Sequence, residues 1–253
     1  MNKQTIHTAL LPGDSSEKKG LKEVIILAGG LGTRLRSALP DLPKCMAPVN
    51  GKPFIGYVID YFQQQGINKF ILSLGYKSEF IVEYLDSSYQ STEFQYCIEE
   101  EPLGTGGAIK LACSKTMTSN VLVTNGDTLF KISLEKLSDF HLSQGADCTL
   151  SLKPMHHFDR YGVVELTKNE RIASFKEKQF YESGLINGGL YALNIKAFMK
   201  EIFPVKFSFE KEYLESLFQQ RNMYGLLQDE YFIDIGIPED YKRAQNELKE
   251  NYV

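Results

Sequence analysis

An α/β fold, with a mixed, mainly parallel central sheet flanked by helices, follows from two patterns in this sequence. Up to about residue 130, short β-branched apolar runs alternate with stretches whose apolar residues recur at helical spacing. Alternation of that kind builds parallel βαβ units joined by right-handed crossovers. Beyond residue 130, strand patterns follow one another with little helix between them, which predicts a mixed sheet covering one side of the first half. With 253 residues, 43% of them hydrophobic, the chain is long enough to bury a full core. The predicted organisation is a loose arm over residues 1–20 and a single domain over 21–253, with halves of about 21–130 and 131–253.

Each element has its own reason. Residues 24–27 (VIIL) are a buried parallel-type strand. Residues 53–65 (PFIGYVIDYFQQQ) are helical in period and stop at Gly66. Residues 69–74 (KFILSL) form a second buried strand, 79–85 a short amphipathic helix and 94–98 a third strand. A small-residue helix follows at 105–114, then a fourth strand at 120–124 that runs into Asn125-Gly126-Asp127. The second half has strands at 148–153, 162–166, 172–175 and 189–194, and helices near 210–221 and 239–251. No internal repeat is present, and the absence of a hexapeptide array predicts no β-helix domain.

Composition narrows the function. A net charge of −4 leaves no electrostatic footprint for nucleic acid. No apolar run is long enough to span a bilayer, so no membrane partner is expected. The first residues lack the basic-then-apolar layout of a secretory signal. Cys45, Cys97, Cys113 and Cys148 are scattered without a C-x-x-C pair, which argues against a zinc site or a disulfide scaffold and makes the cytoplasm the default location. Cys45, beside Lys44, is either a reactive thiol or a small packed side chain. The buried habit of free cysteine favours packing by roughly four to one. His156-His157 has no spaced metal-ligand partners and is expected in a surface loop.

The densest chemical signal is residues 25–48, IILAGGLGTRLRSALPDLPKCMAP. After the strand, Gly29, Gly30 and Gly32 let bare backbone approach a ligand. Successive N–H groups in such a turn make an anion-binding concavity. Arg34 adds a planar fork matched to phosphate and Lys44 a point charge, so the segment predicts a polyphosphate site. A dinucleotide-binding turn needs a third glycine where Thr33, Arg34 and Leu35 stand. A P-loop needs Gly-Lys-Ser/Thr where Gly32-Thr33-Arg34 stands. Neither fits.

Other residues bear on the same chemistry. Asp127, at the carboxyl end of a buried strand, is either a turn residue or a carboxylate for a divalent cation. Asp234, in the apolar run YFIDIGIP, needs a partner because an unpaired buried carboxylate is unfavourable. In EEEPLGTGG (residues 99–107), an ionised carboxylate can accept the adjacent N1–H and N2–H₂ donors of guanine, and one of the three glutamates is expected only to cap a helix. FKEK (175–178) and LINGGLY (185–191) are weak signals alone, and solvated strand ends are the favoured reading of them by roughly two to one.

Together these segments resemble the sugar-1-phosphate nucleotidyltransferases: G-x-G-T-R…P-K, P-L-G-T-G-G, N-G-D, F-K-E-K with N-G-G, and I-D-I-G-x-P. The resemblance implies a Rossmann-like nucleotide-diphospho-sugar transferase fold and transfer of a nucleotidyl group to a sugar 1-phosphate. It implies catalytic roles for Arg34 and Lys44 and Mg²⁺ on Asp127 and Asp234. Nucleotide contacts would come from Leu27, Ala28, Gly29, Gly30, Gly32, Thr33, Gly104 and Thr105, with Glu99 on the base and Glu101 as the alternative. Sugar phosphate contacts would come from Gly162, Glu177, Lys178 and Asn187. The P-L-G-T-G-G run is similar to guanylyltransferases, so GTP is favoured. FDRYGVVEL, FKEK, GLINGGLY and YFIDIGIPEDYKRAQ are most similar to the D-glycero-D-manno-heptose 1-phosphate guanylyltransferases of bacterial surface polysaccharide synthesis. Mannose, glucose and N-acetylmuramate 1-phosphates, with GTP, CTP, UTP or dTTP, stay open, as does a homodimer. A regulatory subunit that only binds nucleotide sugars would be expected to have a degenerate site, whereas Arg34, Lys44, Asp127 and Asp234 are all present.

Overall fold

The structure, a computed structural model, describes residues 20–30 and 42–249. The first strand, β1 (Glu23–Ala28), is buried along nearly its whole length, as a central parallel strand must be. A 3-10 turn, Lys44–Met46, leads to the short hairpin β2 (Pro48–Val49) and β3 (Lys52–Pro53), and then to α1 (Phe54–Gln64). Next come β4 (Lys69–Leu74), α2 (Ser78–Ser88), β5 (Glu93–Ile98), α3 (Gly104–Cys113) and β6 (Asn120–Asn125). β7 (Thr128–Phe130), α4 (Leu134–Ser143) and β8 (Cys148–Phe158) follow. The chain continues through β9 (Val164–Leu166), β10 (Ile172–Phe175), β11 (Tyr181–Asn194) and α5 (Ile195–Met199). A π-helical turn, Phe209–Glu215, then precedes β12 (Met223–Leu227), β13 (Phe232–Asp234) and α6 (Pro238–Glu247).

Seven strands form the main sheet in the order β12-β8-β11-β6-β1-β4-β5. β6, β1, β4 and β5 pair in parallel, and β11 runs antiparallel to both neighbours, β6 and β8. The sheet is therefore mixed and mainly parallel. Its two faces bury two cores: Val24 and Ile26 of β1 pack with α1, and Ile25 with the side of α3 and the π-helical turn. That division is the period-2 alternation of a strand covered on both faces. No described helix is long and apolar enough to cross a membrane.

Four expectations need correction. The later strands do not cover one side of the first half; β11 pairs edge to edge with β6 and extends the same sheet. Helix α4 lies in the stretch expected to be poor in helix, opened by Ser133, whose Oγ accepts from Lys136 N at 3.2 Å. Only Leu134, Leu137, Ser138 and His141 of α4 are buried, so its apolar stripe is thin. His156-His157 is not in a loop: it sits at the exposed end of β8, which outruns its predicted end. The helix expected over 210–221 is instead the π-helical turn followed by a short helical stretch.

Candidate active site

A cavity of about 630 Å³ opens at the carboxyl ends of the parallel strands, where open α/β sheets hold ligands. The end of β1 lines it with Leu27, Ala28, Gly29 and Gly30, and the start of α3 with Gly104 and Thr105. Gly32, Thr33 and Arg34 lie outside the described residues. Cys45 also lines the cavity, and burial pushes its thiol up to about 12, which makes it an inert packed side chain.

Glu99 follows β5 and lines the same cavity, whereas Glu101 is exposed and lines neither cavity described here. Glu99 Oε1 accepts from Ser73 Oγ at 3.1 Å, and Oε2 accepts from the Leu103 N–H at 2.9 Å. The helix-end role expected of one glutamate thus falls on Glu99 itself, just before α3. Each oxygen keeps a further lone pair for a ligand.

Lys44 joins two distant segments. Its ammonium pairs with Asp127 and lies 3.4 Å from Asp234 Oδ1. The two aspartates meet because β7 and β13 pair antiparallel, with Thr128 opposite Asp234, and Ile235 N–H donates to the Asp127 carbonyl at 3.1 Å. Burial, then the neighbouring Asp127 charge, pushes the Asp234 carboxyl above its usual range, against the Lys44 ammonium and the Gly236 N–H. Two carboxylates facing one ammonium are short of positive charge. Oxygen-only donors in this number suit a magnesium-type cation that keeps waters and binds phosphate. Among the described residues no group of three or more His, Cys, Asp or Glu side chains makes a closed cage. A cation held by this pair would take its remaining ligands from water and substrate.

A second cavity, about 660 Å³, is lined by all four residues expected at the sugar phosphate: Gly162, Glu177, Lys178 and Asn187. Asn187 sits at a bulge in β11, where its Nδ2 donates to Tyr191 Oη at 2.9 Å and its Oδ1 accepts from Gly189 N–H at 3.0 Å. Burial raises the Tyr191 phenol well above its usual range, so it stays neutral. Asn125, Thr128, Glu210 and Asp234 line both cavities, which therefore adjoin. Sequence reasoning passes over Asn125, Thr128 and Glu210. Asn125 opens the N-G-D segment already read for Asp127 and Thr128 directly follows it, while FSFEK around Glu210 carries no motif.

The arrangement can hold a polyanion beside a polyhydroxylated phosphate ester, with one lysine and two carboxylates near the junction. The sequence profile of the nucleotidyl transferase family matches residues 23–251. D-glycero-alpha-D-manno-heptose 1-phosphate guanylyltransferase of Aneurinibacillus thermoaerophilus is 52% identical over 227 residues, covering 90% of this chain and 98% of that protein. The protein of the same name from Campylobacter jejuni is 46% identical over 219 residues, covering 87% and 96%. The crystal structure of HddC from Yersinia pseudotuberculosis complexed with GMP-PN is similar at a TM-score of 0.81 and 37% identity, covering 90% of this chain and 100% of that one. The chain belongs to the nucleotidyl transferase family.

Proposed function

We propose that this enzyme transfers the guanylyl group of GTP to D-glycero-D-manno-heptose 1-phosphate, giving GDP-heptose and pyrophosphate. The observation that carries the reading is two adjoining cavities that share Asp234, with Lys44 between Asp127 and Asp234. Glu99 in the first cavity and the names of the two similar relatives support guanine and heptose.

In this reaction an oxygen of the sugar phosphate attacks the α-phosphorus of GTP. A phosphorus–oxygen bond forms as the bond to the β-phosphate breaks, and its electron pair leaves with pyrophosphate. Two polyanions must meet, so the protein's task is positioning and charge neutralisation. Lys44 would hold the α-phosphate, Arg34 the departing pyrophosphate, and Lys178 the incoming sugar phosphate. Leu27, Ala28, Gly29, Gly30, Gly32, Thr33, Gly104 and Thr105 would bound the nucleotide, and Glu99 would accept from the guanine edge. Glu177, Asn187 and the backbone at Gly162 would take the sugar. Asp127 and Asp234 would hold Mg²⁺, which when bound neutralises phosphate charge.

Pyrophosphate release from a matrix of GTP, ATP, CTP and UTP against heptose, mannose and glucose 1-phosphates tests this. The highest kcat/KM is expected for GTP with heptose 1-phosphate, by about 10-fold or more over mannose 1-phosphate, and excess EDTA should abolish it. A higher value with another nucleotide would overturn the guanine assignment. No release from any pair would make the chain a binding module.

A further inference from the structure

Glu210 belongs to none of the motifs, yet it stands where the two cavities adjoin. It is carried by the π-helical turn Phe209–Glu215, whose Phe209, Tyr213 and Leu214 are buried in the core. One extra residue per turn shifts the side chains off α-helical register, and such turns recur at functional sites. Glu210 Oε2 accepts from Thr105 Oγ1 at 2.6 Å and from Ser208 Oγ at 3.0 Å. Thr105 Oγ1 accepts in turn from Phe209 N–H at 2.9 Å. The carboxylate is therefore fixed to the start of α3, which lines the first cavity, although it grows from a wall of the second. Among the described residues, no hydrogen bond or ion pair engages Oε1.

An ionised carboxylate only accepts hydrogen bonds. In nucleotidyl transfer the groups meeting at this junction are phosphates, which are also acceptors and repel it. The donors that both substrates carry beside their phosphates are hydroxyls: the ring hydroxyl next to the sugar's anomeric phosphate, and those of the nucleotide's ribose. We propose that Glu210 is a substrate-positioning carboxylate, its Oε1 accepting a hydroxyl adjacent to the reacting phosphates while Oε2 ties that contact to Thr105. The proposal rests on the nucleotidyl transfer reading and adds to it a residue that fixes one substrate relative to the nucleotide turn. Glu212, two residues on, is the natural control. It is exposed, lines neither cavity and accepts from its own Ser208 N–H.

The test is steady-state pyrophosphate release by the full chain and its Glu210→Gln and Glu212→Gln variants. Each is assayed with the normal substrates, with a 2-deoxy sugar 1-phosphate, and with 2′- and 3′-deoxy nucleotides. Glu210→Gln should raise the KM of one substrate by about 10- to 100-fold, the range for a hydrogen bond to a charged group, while Glu212→Gln leaves both KM values unchanged. The unmodified enzyme should lose a similar factor with the analogue lacking the contacted hydroxyl, and on that analogue Glu210→Gln should cause no further loss. Which analogue levels the two enzymes identifies the sugar or the ribose as the donor. If no analogue weakens the unmodified enzyme, the proposal fails even where Glu210→Gln does not fold. If Glu210→Gln weakens all analogues equally, the carboxylate acts through something other than a hydroxyl, such as a cation, and the proposal fails. Absence of pyrophosphate from the unmodified enzyme with every pair would instead remove the transfer reading itself, and this inference with it.

Discussion

The first cavity is walled largely by the ends of parallel strands and the start of α3, the second by a bulged antiparallel strand and a π-helical turn. In the first, regular elements stop at the ligand and their last residues face it. In the second, side chains reach the cavity through departures from regularity. Position in the fold thus selects residues in the first region, and local irregularity selects them in the second. Lys44 belongs to the boundary, bound to Asp127 after β6 and to Asp234 at the end of β13. Lys44→Met should lower kcat/KM about 10³-fold, the loss seen when a donor to developing charge is removed, and should do so for every substrate pair. An effect confined to the KM of one substrate would assign Lys44 to one cavity and break the comparison.

Glu99 tests the first region alone. Its carboxylate is fixed by Ser73 and by the Leu103 N–H, so an amide at this position keeps the shape and changes the acceptor pattern. Glu99→Gln should cut the preference for GTP over other nucleotides by about 10- to 100-fold, with the sugar phosphate KM unchanged. Glu101→Gln, at an exposed position, should leave the preference intact. Competition assays with mixed nucleotides read both outcomes. Equal losses in the two variants would remove Glu99 from the base.

The same division explains what the sequence reveals. Residues 69–74 are recognisable because a strand buried on both faces is a continuous apolar run bounded by a turn, and β4 (Lys69–Leu74) has those limits. The candidate residues of the first cavity stand at the ends of such runs, so motif and fold coincide. Helix α4 escapes because only four of its ten residues are buried, and the edgewise join of β11 to β6 leaves no local mark. Glu210 escapes for a different reason: a π-helical turn has no periodicity that an α-helical or strand template detects. The pairing of Lys44 with both aspartates depends on the β7–β13 pairing, which joins segments far apart in the chain.

Glycines separate the regions by stability. Around Gly30, beside the first cavity, no described atom lies within 4 Å of where a Cβ would be. Gly30→Ala should leave the unfolding midpoint unchanged and raise the nucleotide KM. At Gly188, in the β11 bulge, a Cβ would meet the Phe130 ring and lie 3.0 Å from the Ser151 carbonyl oxygen. Gly188→Ala should therefore lower stability by about 1–3 kcal/mol, the range for overpacking a filled core. Denaturant unfolding measures both. Equal destabilisation at the two sites would mean that the first loop is packed rather than open.

His141 probes the seam between the regions at lower amplitude. It is fully buried on α4, with Nε2 3.1 Å from Asn120 Oδ1 on β6 and Nδ1 2.9 Å from Thr149 Oγ1 on β8. A neutral ring with its proton on Nε2 donates to the first and accepts from the second. Burial lowers its pKa to about 4, with Asp147 opposing weakly. The unfolded chain takes up this proton near pH 6.5 while the folded chain resists it, so stability is full above 6.5 and falls as pH drops towards 4. Between pH 7 and 5.5 this one group should remove about 1 kcal/mol. Urea unfolding at the two pH values measures the loss, and His141→Gln should abolish that part of it while keeping a donor and an acceptor at the site. If the variant keeps the full pH dependence, the loss arises elsewhere, and α4 joins β6 to β8 by apolar contact without help from this histidine.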